Sequence, residues 1–92
     1  MGFNTVTITN AATEIVSDNS KRVSIIITNT STDTSVFFAQ DNTVTAANAP
    51  ELAPGGTFTE DAGGTRIYKG PFFAITSAGT ADVRYWEREG NI

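Results

Sequence analysis

The chain has 92 residues, no cysteine, no histidine, a net charge of −4 and a pI near 4.5. That length indicates one domain, residues 1–92. Without thiols there is no disulfide, thiolate metal site or cysteine nucleophile, and without imidazole there is no histidine-based triad. The basic residues, Lys21, Arg22, Arg66, Lys69, Arg84 and Arg88, are scattered. With an acidic balance this argues against nucleic acid as a partner, which needs a clustered basic patch. No run of about 18 apolar residues is present, so no membrane-spanning helix is expected. The N-terminal segment lacks the basic-then-apolar pattern of a signal peptide, and Val6 stands where a myristoylation motif wants Ser or Thr. Synthesis in the cytoplasm is the expectation.

No window keeps apolar residues at helical spacing. Short alternating runs separated by turn residues recur about every ten residues, the pattern of an all-β sandwich or barrel. "TVTIT" (5–9) sends Val6 and Ile8 inward and its threonines outward. "TEIV" (13–16) reads as a second strand with Ile15 inward, and Asp18, Asn19 and Ser20 form a turn after it. "VSIIITN" (23–29) is the strongest strand, with Val23, Ile25 and Ile27 on one face and Ile26 on the other. "SVFFAQ" (35–40) puts Val36 and Phe38 on one face and Phe37 on the other. In "DNTVTAANAPELAPGG" the prolines Pro50 and Pro54 exclude a central strand, and Leu52 is expected to plug the core. A short strand follows around Phe58, then "RIYKG" (66–70), "PFFAITS" (71–77), a tight "SAGT" turn and "ADVRYWERE" (81–89). The expected fold is all-β: a single-domain antiparallel β-sandwich, jelly-roll-like, with seven or eight short strands.

The last strand poses the sharpest question. With Val83 and Tyr85 inward, Trp86 points outward between Arg84 and Arg88. Ile26, Phe37 and one of Phe72 or Phe73 are also on the wrong face for the core. Either a loop of the same chain, such as "NAPELAPGG", covers them, or another chain does. Exposed aromatics are typical interface anchors. The candidate interface residues are therefore Phe3, Phe37, Phe72, Arg84, Trp86 and Arg88.

Chemistry-bearing patterns are weak. Glu60 with Asp61, and Glu87 with Glu89, read as a solvated turn and a charged strand end, since paired catalytic carboxylates sit in deep clefts. "SDNS", "QDN" and "TEDAGGT" lack calcium-loop spacing and read as turns closed by Asx side chains. "APGGTFTEDAGG" lacks the phosphate-loop pattern. No catalytic residue, metal or cofactor is assigned, and the chain is not expected to be an enzyme.

Taken in order, "VTITN", "KRVSIIITNTS", "VFFAQDNTVTAANAPELAPGGTFT" and "FFAITSAGTADVRYWE" resemble a group of small tailed-bacteriophage virion proteins of the capsid decoration, or cement, type. The resemblance covers nearly the whole chain and is most specific in "TVTAANAPELAPGG" and "SAGTADVRYWE". It departs at "NAPE", where the pattern has a glycine-containing turn, and at "SAGT", which carries an extra alanine. It implies a β-sandwich subunit without catalytic residues, made in the host cytoplasm and carried on the capsid surface of the virion. The implied partners are the major capsid protein shell and further copies of the chain, with a trimer favoured. Residues 1–4 and 88–92 are candidate contact arms. A cement protein acts by binding energy alone, stabilising the shell by mass action. The alternative is a receptor- or carbohydrate-binding module of a tail or fibre. There Tyr85 and Trp86 would stack on sugar rings beside Asp82, Arg84 and Glu87.

Overall fold

The computed structural model describes residues 4–61 and 67–90. Phe3 and the outermost residues of both candidate arms, 1–3 and 91–92, lie outside them. Turn residues cut the described chain into eight strands: β1 (Asn4–Ile8), β2 (Thr13–Val16), β3 (Arg22–Asn29), β4 (Val36–Ala39), β5 (Glu51–Leu52), β6 (Thr57–Asp61), β7 (Phe72–Ile75) and β8 (Ala81–Glu89). They form two four-stranded sheets, ordered β1-β8-β3-β6 (sheet A) and β2-β7-β4-β5 (sheet B). Every ladder is antiparallel.

The pairs β1·β8, β2·β7, β3·β6 and β4·β5 are those of one long hairpin folded back on itself. The ladders β3·β8 and β4·β7 close the roll. This is jelly-roll order, an eight-stranded β-sandwich. Alternation along the strands fills the space between the sheets. Ile8, Ala81, Val83, Ile25 and Ile27 of sheet A meet Ile15, Val36, Leu52, Phe72 and Ala74 of sheet B. Each large side chain buried this way contributes about 1.5–3 kcal/mol.

Two strand expectations change. Residues 67–70 form no strand. The eighth strand is instead β5, between Pro50 and Pro54, and it lies at the edge of sheet B, where a missing N–H breaks no central ladder. Leu52 does reach the core and is 7% exposed.

The start of β3 departs from simple alternation. Arg22 stands opposite Glu89 and Ser24 opposite Arg88, so β3 carries one extra residue there, a β-bulge. The bulge reverses the inward–outward sense. Arg22 turns inward and is 0% exposed, while Val23, expected inward, is half-buried. A buried guanidinium must satisfy its donors. Here Nε donates to Glu87 Oε2 (2.7 Å), Nη1 to the carbonyls of Tyr68 (3.1 Å) and Gly70 (2.9 Å), and Nη2 to Ser17 O (3.0 Å). The guanidinium carbon also lies 5.7 Å from the centre of the Phe72 ring. Glu87, expected to be part of a charged strand end, is the counter-ion of this buried group.

At the other end of β3, Asn29 is also fully buried. Its Nδ2 donates to Thr34 O (2.8 Å) and Leu52 O (2.9 Å), and its Oδ1 accepts from Ser31 N–H (3.1 Å). Its carbonyl accepts from Gly55 N–H (2.8 Å), where the chain turns with φ of 78°. Only glycine adopts that conformation without strain.

Two outcomes follow. Arg22→Met strips donors from three carbonyls and from Glu87, and should destabilise the fold by roughly 3–5 kcal/mol in urea titration. A loss below about 1 kcal/mol would show that the cradle is dispensable. Tyr68, whose hydroxyl donates to Pro71 O (2.8 Å), has its pKa raised by burial. A raised folded-state pKa gives stability that is present below the unfolded value of about 10 and lost as pH climbs through the folded one. Tyr68→Phe should therefore flatten the alkaline loss of stability, measured by denaturation between about pH 9 and pH 11.

Candidate functional site

Sheet A has an outward face built by alternation. Along β8 it presents Asp82, Arg84, Trp86 and Arg88, while Val83, Tyr85 and Glu87 point between the sheets. Trp86 stands opposite Ile26 of β3, and Ile26 in turn opposite Thr59 of β6. Arg84 lies in a row with Thr5, Thr28 and Thr57. Arg88 stands opposite Ser24, which is followed by Asp61. Trp86 and Ile26 are each half-buried and Arg84 and Arg88 are exposed. Within the described residues β1 begins opposite Tyr85, so β8 from Trp86 onward is paired only with β3.

Much of the rest of this face is threonine. Thr28 and Thr57 hydroxyls meet at 3.1 Å, and Thr7 donates to Asp82 Oδ1 (3.1 Å). The indole is thus the one large aromatic among the described residues of a hydroxyl-rich sheet surface, with a guanidinium two residues away along the strand on either side. Such a surface can bury a ring and aim charged donors at acceptors around it.

Sheet B has an outward apolar patch of its own. Phe37 stands opposite Ile75, Ala39 opposite Phe73, and the charged neighbours are Glu14 beside Phe73 and Glu51 beside Phe37. Phe37, Phe73 and Ile75 are half-buried. Phe72 is corrected here. Of the two adjacent phenylalanines it is the inward one, 3% exposed, packed edge-on against Phe58 (5.8 Å) and Tyr68 (5.2 Å). The shift at the β2–β7 bulge aligns Val16 with it on the core side. Phe73 takes the outward place assigned to Phe72.

The structure therefore brings Arg84, Trp86 and Arg88 together on one face and puts Phe37 on the opposite one. It separates Tyr85 from Trp86 by the thickness of the sheet, and Glu87 from Arg84. The paired-aromatic platform of the sugar-binding alternative does not form. Of the two carboxylate pairs one is divided, Glu60 pointing inward and Asp61 outward, while Glu87 and Glu89 converge on the Asn19 amide at 3.3 and 3.0 Å. The oxygen-rich turns close on themselves. Asn19 Oδ1 accepts from Lys21 N–H (3.0 Å). The Thr43 hydroxyl and N–H hold the Asp41 carboxyl below its ordinary pKa. Among the described residues no three acidic side chains converge on a metal position.

No protein-family model, no curated protein and no solved structure matches this chain.

The corrected orientation is measurable. Phe72→Ala should cost about 3–5 kcal/mol of unfolding free energy, as a core ring removal does. Phe37→Ala, on the outer face, should cost no more than about 1 kcal/mol. Equal losses in urea titration would contradict the assignment of faces.

Proposed function

We propose that this chain is a non-enzymatic structural subunit of a tailed-bacteriophage particle, carried on the capsid surface as a decoration protein. The observation that carries the reading is Trp86, held outward on sheet A beside Ile26 and flanked by Arg84 and Arg88. An indole that its own sheet leaves half-exposed gains by being covered, and tryptophan and arginine are among the residues most enriched where one protein anchors on another. The sequence resemblance points the same way. The partner in this reading is the major capsid protein shell. Arg84 and Arg88 pair with acidic shell groups at the rim, setting orientation more than affinity. The apolar patch of Phe37, Phe73 and Ile75 on sheet B serves contacts between copies, in a homo-oligomer for which we favour a trimer.

The alternative, a tail or fibre module that binds glycans, has the weaker support. A lone indole without Tyr85 beside it stacks a single sugar ring, and Glu87 is engaged by Arg22. A glycan array separates the two readings, because a decoration protein binds none.

Immunogold electron microscopy of purified particles, with antibody raised against this chain, should label the head densely. Label confined to the tail or its tip would overturn the capsid assignment. Trp86→Ala should weaken attachment to particles by more than about 1 kcal/mol in a co-sedimentation assay. The isolated domain should keep its unfolding midpoint. Loss of the fold itself would mean that Trp86 is needed for stability rather than for docking.

A further inference from the structure

Where sheet A ends at β6 and sheet B at β5, the sheets part around a cleft of about 530 Å³. Phe38, Phe58 and Phe72 wall it, Gln40 and Pro50 form its exposed lip, and Glu60 borders it. The Phe38 and Phe58 rings lean together at 5.0 Å, 53° apart. A volume of this size is within the range of small-molecule sites, roughly 300–1,000 Å³.

The register explains what is unusual about Glu60. Ile25 stands opposite Glu87 on one side and Glu60 on the other. One row of sheet A therefore sends two carboxylates toward the space between the sheets. Glu87 is neutralised by Arg22 at 2.7 Å. Glu60 forms no hydrogen bond or ion pair among the described residues, yet it is half-buried against aromatic rings. A carboxylate so placed gains from a cation that also brings apolar surface.

We propose that this cleft binds a primary alkylammonium group. The ammonium meets Glu60 through charge-assisted hydrogen bonds, and the alkyl chain lies along Phe38 and Phe58. A neutral apolar ligand would dehydrate Glu60 and give nothing back, and an anion would be repelled by it. A quaternary ammonium has no N–H to donate. The molecule already holds one cation against this aromatic wall from behind, the Arg22 guanidinium at 5.7 Å from Phe72. The same chemistry arrives either as a free alkylamine or as a lysine side chain of another protein.

The test is a nitrogen–proton correlation NMR titration of the full chain with n-butylammonium, 1-butanol, tetramethylammonium and N-acetyl-lysine amide. Saturable shifts at Phe38, Phe58 and Glu60 with n-butylammonium, at least about tenfold weaker with 1-butanol and with tetramethylammonium, are expected. Glu60→Gln, which keeps size and leaves the spectrum folded, should weaken n-butylammonium by a similar factor and leave 1-butanol unchanged. Binding of the blocked lysine at the same residues supports a protein side chain as the source. Its failure beside successful n-butylammonium binding supports a free amine. No saturable shift, equal affinity for the alcohol, or no effect of Glu60→Gln would each overturn the proposal.

Discussion

A guanidinium with no solvent contact must find partners inside the protein, and the fold supplies at least one acceptor to each of the three nitrogens of Arg22. The residue belongs to sheet A, but the groups around it belong largely to the other layer. Ser17 follows β2, Tyr68 and Gly70 precede β7, and Phe72 begins it. The charge therefore staples two loops of sheet B to the start of β3. Arginine is suited to this as lysine is not, because its planar fork reaches several acceptors in different directions at once. Asn29 does a neutral version of the same at the far end of β3, holding the carbonyls of Thr34 and Leu52. Between these two polar pins lie only Ile25 and Ile27 on the inner face. The apolar pair supplies burial energy that many registers could share. The pins, whose partners must all be present together, select one.

Much of this was legible in the residues. Alternation alone oriented β1, β4 and β8, including the outward Trp86, because those strands are regular and have one face in the core. It failed where the backbone adds a residue. The bulge at the start of β3 turns Arg22 in and Val23 toward the surface, and nothing in "KRVSI" marks it, since a bulge is a property of two paired strands. A choice between Phe72 and Phe73 was likewise undetermined by parity within "PFFAI", and tertiary contacts with Phe58 and Tyr68 settle it. The β5 strand was hidden for a different reason. Prolines on both sides exclude a central strand, and an edge strand of two residues leaves almost no periodic signal. Glu60 could not be distinguished from Asp61 as adjacent acids until the β3–β6 register put one on each face.

The two outer faces divide labour in a way that the core does not require. A sandwich this small could be closed on both sides by threonine and charge. Instead, among the described residues, each sheet keeps its large outward apolar side chains at its central strands: Ile26 and Trp86 on one, Phe37, Phe73 and Ile75 on the other. Central placement matters physically. A ring on an inner strand is flanked by neighbours that hold its rotamer, so little side-chain entropy remains to be lost when a partner covers it. An edge position would also expose unpaired N–H and C=O groups and invite strand addition.

The pairing of β1 with β8 has a mechanical consequence. Because the strands are antiparallel, the start of β1 and the end of β8 leave the same end of sheet A. A load applied through those two ends opens the β1–β8 ladder one rung at a time, like a zipper, so it meets little resistance at any moment. A load entering at Trp86 is borne differently. Along the strand axis it acts on the interior of a strand laddered to β3 from Ser24 to Asn29 and to β1 below, and so shears many hydrogen bonds together. The same domain is therefore weak when drawn out by its ends and strong when a load runs along its face.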